Sequence, residues 1–368
     1  MNRRLFIAAT VAAALSVGAA APDYGKPEGP VRLVVGYQPY YTQAWSGVVM
    51  RGKKFYEKYL PKGSTVEFQS GLQGAIIATN MLAGKQHIGY MGDMPAIVAT
   101  TRTEVADVRL VANLGLALDQ CNAFLVRNDA PQFKTDEEEI RWLAGKTVAV
   151  PKGSCSDRFA QATFKRFNIQ PKEYLNQSIE AITSNFRSHK LDAAVIWQPT
   201  TSRLVGEGLA RLIATGKSVQ ENDGAFLAMR ADLLTQRPDV AKGWLRAELD
   251  AQLFIADPKN AREVIRMAKA QTTGFSEKVL WSSLYGRYPD AAGGSDTRNT
   301  MHYTFTPEAR ELISRAAAFL HSIKSIDVDW MRPEAIEASW TEGILKERGL
   351  TAPIGHVKAL PAAQAPKN

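Results

Sequence analysis

The stretch Gly89-Tyr-Met-Gly-Asp-Met-Pro95 constrains this chain most, because it closes a succession of strand–loop–helix units. Val31-Arg-Leu-Val-Val-Gly36 is apolar and rich in β-branched residues, which predicts a buried strand ended by glycine. An aromatic loop follows, with Tyr37, Gln38, Pro39, Tyr40, Tyr41 and Trp45. Trp45, Val48, Val49, Phe55, Tyr56, Tyr59 and Leu60 are spaced to fill one face of a helix that stops at Pro61. Thr65 to Gln69 reads as a second strand, running through Ser70-Gly-Leu-Gln-Gly74 into a helix that ends near Gly84. Ile88 to Met91 is a third strand, and Asp93 is expected to cap the next helix, with Pro95 tolerated in its first turn. Three polar loops are thus expected at the carboxyl ends of parallel strands, the edge at which open α/β sheets bind ligands.

The order V-V-G-Y-Q-P, S-G-L-Q-G before a helix, and I-G-Y-M-G-D-M-P resembles the nitrate/sulfonate/taurine-type periplasmic solute-binding proteins of ABC importers. Val148-Ala-Val-Pro-Lys-Gly-Ser-Cys-Ser156 and Ala193-Ala-Val-Ile-Trp-Gln-Pro199 continue the resemblance, which covers roughly residues 30 to 345. It implies an α/β, two-lobed type II binding-protein fold, each lobe a mostly parallel sheet flanked by helices, with two crossing segments. Residues 30–119 and 223–345 would form lobe 1 and 120–222 lobe 2. A small solute would lie between the lobes, with an ABC permease of the inner membrane as partner and with no catalysis, cofactor or metal. A monomer is expected.

Met1-Asn-Arg-Arg-Leu-Phe6, the apolar Ile7 to Val17 and the small residues after it read as a cleavable signal peptide over residues 1–21. Arg3-Arg4 is compatible with twin-arginine export or an ordinary secretory signal; either places the mature chain in the periplasm. Without those two arginines the formal charge falls from +8 to +6, and no Lys/Arg-rich run suggests nucleic acid binding. About 345 mature residues exceed the usual size of a single core, which also favours two lobes.

Farther along, Val108 to Leu114 reads as a strand ended by Gly115, and Ala123 to Arg127 as the first strand after the crossing. Thr135 followed by four acids predicts a capped helix start. Thr147 to Val150 is a strand whose loop leads to a helix capped by Ser156 or Asp157. Tyr174 to Ser178, a helix through Phe186 and a strand Ala193 to Trp197 repeat the unit, making the second lobe a smaller copy of the first. Gly224 to Met229 reads as the return crossing, followed by helices over Pro238 to Phe254 and Pro258 to Ala270. Pro289 to Asp296 is a flexible break, and Thr306-Pro-Glu opens the last strong helix. Residues 351–368, rich in Ala, Pro and Lys, are expected to be a loose tail.

Candidate ligand residues follow from position at strand ends and helix starts. Tyr37, Gln38, Tyr40 and Tyr41 offer aromatic walls and polar groups; Trp45 serves equally as core or wall. Ser70 and Gln73, Asp93 and Met94, and Lys152, Ser154 and Ser156 each stand before or within a helix start, where free amides attract anions. Asp93 is either a cap or a ligand acceptor. Trp197 and Gln198 end a strand of the second lobe and face the same space. The residue set points to an organic anion such as a sulfonate or carboxylate, with a ring or an amine held by tyrosine faces as the alternative.

No phosphate-loop, G-x-S-x-G, H-E-x-x-H or C-x-x-C pattern occurs. Five histidines, at positions 87, 189, 302, 321 and 356, are scattered and suggest no metal site. The competing reading is an enzyme on the same fold, a cysteine-dependent desulfinase or a pyrimidine-synthesis-like protein, because Cys155 stands at a helix start. Against it, an exported chain with two cysteines predicts a Cys121–Cys155 disulfide, provided their strands are antiparallel neighbours.

Overall fold

A computed structural model describes residues 22–367; the signal peptide inferred above lies outside them. The chain opens with β1 (Arg32–Tyr37), α1 (Ser46–Lys53), β2 (Thr65–Ser70), α2 (Gly74–Leu82), β3 (Ile88–Gly92) and α3 (Asp93–Thr101). β1 runs parallel to β2 and β3, as strand–helix–strand crossovers require. The long expected helix is interrupted: Lys54 adopts φ 54°, and Phe55–Lys58 is a separate 3-10 turn. Tyr56 still reaches the core, stacking on Trp244 at 5.4 Å.

β4 (Val108–Ala117) then leads into the second lobe. That lobe comprises β5 (Ala123–Arg127), α4 (Asp136–Trp142), β6 (Thr147–Val150), α5 (Cys155–Phe167), β7 (Glu173–Asn176), α6 (Ile179–Arg187), β8 (Ala193–Val195), α7 (Thr200–Gly206), β9 (Ala210–Thr215) and α8 (Gly216–Val219). Thr135 accepts a hydrogen bond from the Glu138 amide while Glu138 reaches back to the Thr135 amide. Such reciprocal capping is worth about 1 kcal/mol. α5 is capped by Ser154, not by Ser156 or Asp157: its hydroxyl accepts from the Asp157 amide, so Ser156 is already inside the helix. Phe159 and Phe164 both pack against Phe124 in this lobe's core.

The chain returns through β10 (Asp223–Arg230) to α9 (Ala231–Gln236), α10 (Pro238–Ala256), α11 (Ala261–Gln271), α12 (Glu277–Leu284), β11 (Thr297–Met301), α13 (Pro307–Ser322), α14 (Ser339–Glu347) and β12 (Gly355–Lys358). The tail is therefore not loose: β12 pairs with β11 at the sheet edge, and Val357 is buried. Apolar alternation over so few residues is weak as a sequence signal, and the pairing partner is more than fifty positions away. The strand Ala193 to Trp197 is also shorter than its sequence suggests, ending at Val195.

The larger sheet has the order β12-β11-β4-β10-β3-β1-β2 and the smaller β7-β6-β8-β5-β9. Three parallel strands followed by an antiparallel one recur in both: β2-β1-β3 then β10, and β7-β6-β8 then β5. β4 and β10 pair antiparallel beside the two crossings, and every residue of β10 is buried. In β4, Gly115 adopts φ 137°, and a Cβ there would lie 2.3 Å from Asn299. Only glycine fits that bulged position.

The crossings are tied to each other by side chains. Asp223, at the start of β10, accepts hydrogen bonds from the amides of Cys121 (2.8 Å) and Asn122 (3.1 Å) on the outgoing segment. Beside it, the buried Asp119 pairs with the buried Arg298 at 3.0 Å. Polar groups removed from water in this way must be satisfied internally, which fixes where the lobes meet.

Candidate functional site

A cavity of about 420 Å³ lies between the sheets, lined from the larger lobe by the loop after β1, by α2 and by α3, and from the smaller lobe by the loop after β6 and by Trp197. Gln38 folds over its inner end, its Oε1 accepting from the Gly92 amide at 3.2 Å. Tyr41 stands opposite Trp197 of the other lobe, ring centroids 6.5 Å apart and planes at 69°. The Tyr41 hydroxyl donates to Gln43 at 2.5 Å. Burial pushes its pKa well up, with Asp223 and Asp93 adding to the effect, so the phenol stays neutral.

The N-cap of α2 is Gln73, and the first turn contains no acid. Gly74 permits α2 to settle on α3: a Cβ at that position would lie 2.4 Å from Pro95. First-turn amides of a helix have no intrahelical acceptor, and the helix dipole there favours negative charge. Ala75, Ala78, Thr79 and Leu82 of α2 and Pro95 and Val98 of α3 form the wall, which leads to Arg102 and Ser325. Among the described residues no aspartate or glutamate lines the cavity, whereas Arg102 and Lys152 both do. The cavity is therefore mostly apolar with positive polar edges.

The loop after β6 is held by its own hydrogen bonds. Ser154 donates to the Pro151 carbonyl at 2.6 Å, and the Lys152 amide donates to Asn176 at 3.0 Å. The Lys152 ammonium lies 5.1 Å from the Tyr174 ring centroid. Cys155 is bonded to Cys121, with Cα atoms 6.0 Å apart. The expected disulfide is present, but for a different reason from the strand pairing anticipated: β8 separates β5 from β6. It is the first turn of α5, packed back over the crossing, that brings Cys155 to Cys121. Ser156 donates to the Cys121 carbonyl at 3.0 Å on the same junction.

Of the residues singled out in the sequence, Gln38, Tyr41, Gln73, Lys152, Ser154 and Trp197 line the cavity, as does Cys155 of the expected disulfide. The others do not. Tyr37 shares the inward face of β1 with Leu33 and Val35; it is fully buried, bonded to Arg51 and edge-on to Phe68. Trp45 is core, its Nε1 donating to the Pro39 carbonyl at 2.8 Å. Tyr40 lines a separate cavity of about 210 Å³ that also touches Trp197, together with Arg203 and Phe275. Ser70 is exposed at the end of β2, off the cavity wall. Met94 is buried among the apolar side chains behind α3, and Gln198 is buried with its Oε1 accepting from the Ser202 amide.

Asp93 is neither the helix cap, which is Gly92, nor a cavity wall. Its Oδ2 accepts from Arg158 of the other lobe at 3.2 Å, and Arg158 also reaches Glu221 at 2.7 Å and the Asn222 carbonyl at 2.7 Å. Sequence reading missed Arg102, Leu82 and Val98. Their signal was helical spacing: Pro95, Val98 and Arg102 recur at three and four residues, as do Ala75, Ala78 and Leu82. Among the described residues no cluster of three or more His, Cys, Asp or Glu side chains could hold a metal ion.

Two sheet-and-helix lobes joined by paired crossings, with a cavity between them bounded by helix starts, define a two-lobed binding-protein fold. The chain belongs to the NMT1-like family, whose pattern matches residues 26–269. An Escherichia coli (strain K12) protein named for aliphatic sulfonate binding is 29% identical over 209 residues, 55% of this chain and 60% of that protein's length. The periplasmic nitrate-binding protein NrtA from Synechocystis PCC 6803 superposes with a TM-score of 0.70 at 16% identity, covering 94% of this chain and 93% of that one. The desulfurization enzyme DSZB also shares the fold, with a TM-score of 0.60 at 16% identity over 86% of this chain and 99% of that one.

Proposed function

We propose that this protein is the extracytoplasmic receptor of an ABC importer, a monomer that closes on a small organic anion and delivers it to a permease in the inner membrane. The observation that carries the reading is the charge of the interlobe cavity: acid-free walls, two cations and the open first turn of α2. A sulfonate or carboxylate is the solute class that matches such a lining, and its apolar surface accommodates an aliphatic or ring-bearing body. Export by the N-terminal segment would place the receptor in the periplasm, an oxidising compartment in which the disulfide is stable.

The enzyme reading depends on a free thiolate at Cys155, and that sulfur is bonded to Cys121. The disulfide therefore favours binding without catalysis. A thermal-shift and calorimetric screen of sulfonates, carboxylates, nitrate and nitrogen heterocycles tests the receptor reading, since a ligand of the native state raises its melting temperature by mass action. Stabilisation by an organic anion is the expected result. One fast-reacting thiol in the native protein, or stabilisation by heterocycles alone, would reverse it.

A further inference from the structure

Arg102 is more than the anion receptor needs. It lies beyond the last turn of α3, where the cavity wall ends, and its guanidinium reaches the Ser325 carbonyl at 3.4 Å. Among the described residues it pairs with no carboxylate, although Arg109 and Arg332 close by both take Asp107. Lys152 bounds the same cavity and an adjoining depression shared with Ile323, two residues before Ser325. Cationic side chains are therefore gathered at the α13 end of the cavity.

The wall between this end and the inner one is long and apolar. From Gly74 to Leu82, α2 advances about 12 Å at the usual helical rise, presenting Ala75, Ala78 and Leu82, with Pro95 and Val98 of α3 alongside. At the inner end, among the described residues, the first turn of α2 carries no acid. α3 begins with Asp93, tied to Arg158, and α5 carries Asp157 in its first turn, its carboxylate accepting from the Gly153 amide at 2.8 Å just before the helix.

We infer that the solute is elongated and negative at both ends, with one end at the α2 amides, an apolar spacer along α2 and α3, and the second end on Arg102. The inference rests on the receptor reading above and adds to it a solute class, linear α,ω-dianions, and a residue that selects them. A guanidinium meets a carboxylate or sulfonate with paired donors, so the second contact is directional as well as charged.

Calorimetry on the whole protein tests this with alkanedioates and α,ω-alkanedisulfonates from about four to about ten carbons, spanning the ~12 Å wall. Alkanoates and 1-alkanesulfonates of the same lengths are the comparison. The dianions should bind tighter by about tenfold to a hundredfold, the value of one charge-assisted hydrogen bond, and tightest at intermediate length. Arg102→Ala should erase that preference with an unchanged melting temperature of the unliganded protein, and Arg102→Lys should restore part of it. Equal affinities for monoanions and dianions in the native protein, or a preference that survives Arg102→Ala, would overturn the assignment of Arg102 and leave the receptor reading standing. No binding by any member of either series would overturn both.

Discussion

The carboxylate of Asp93, in the first turn of α3, accepts a hydrogen bond at 3.2 Å from the guanidinium of Arg158 in the opposite lobe. Both side chains are buried, and the Arg158 guanidinium also donates to Glu221 and to the Asn222 carbonyl. The contact ties the wall of the cavity to the second lobe behind the ligand space. Removing Arg158 alone leaves the buried Asp93 carboxylate without its cation. Arg158→Met should therefore cost about 3–5 kcal/mol in urea denaturation. Adding Asp93→Asn to it should recover a substantial part, because the uncompensated charge is gone.

The aromatic pair across the cleft should act on binding. Trp197→Ala and Tyr41→Ala are each expected to weaken solute affinity by about 1–3 kcal/mol, as lost anchors of a desolvated site do. Tyr40→Ala, which alters the neighbouring smaller cavity, should weaken it less. Tyr37→Phe removes only the hydroxyl bonded to Arg51 and should lower stability while sparing affinity. Calorimetry with the identified solute, beside thermal unfolding, separates the two effects.

The Cys121–Cys155 bond closes a loop with a sequence separation of 34. In the chain-entropy account such a closure stabilises by about 3–4 kcal/mol, so Cys121→Ser with Cys155→Ser should lose an amount of that order in urea. Because Cys155 also lines the cavity, the double variant should bind solute more weakly than the oxidised protein. Equal affinity in the two forms would mean that the first turn of α5 keeps its place without the bond.

Glu248 is buried in α10, accepting from the Tyr90 hydroxyl at 2.9 Å and from Gln252 at 2.9 Å. Burial, opposed by these hydrogen bonds, pushes its carboxyl up to about 7 from 4.5. The native state therefore holds a proton that the unfolded chain releases. This group's contribution to stability is complete below pH 4.5, declines as pH rises toward about 7 and changes no further above it. The decline is on the order of 3 kcal/mol. Asp223, raised by burial to about 8, acts with the same sign. Glu248→Gln should remove the Glu248 share, so the variant gains on the native protein between pH 5 and pH 8, roughly the interval set by linkage. Urea midpoints across that range check it.

Local chemistry was legible in the amino-acid order. Thr135 with Glu138, and Thr306 before Pro307, state their helix starts within a few residues, and the structure has those caps. The parallel strands β1, β2 and β3 announce themselves as short runs ended at polar loops, the first of them rich in β-branched residues. Even the inward placement of Tyr37 is contained in its alternation with Leu33 and Val35, a period that outweighs its position at the strand end.

Other placements have no local expression. Asp93 looks like a cap because a carboxylate at a helix start lowers energy by itself; it serves Arg158 because α5, 65 residues later, is packed against it. β12 has little strand character until β11 supplies hydrogen-bond partners at the sheet edge. The positive end of the cavity exists only because the end of α3, the loop after β6 and the loop after α13 converge. Capping, alternation and helical spacing are energies of neighbouring residues, so the sequence by itself determined the strands, the helix starts and the succession of α/β units. Which buried charges meet, which sulfurs bond and which cations are left facing a cavity depend on desolvation and on contacts between distant segments, and those only the tertiary structure decided.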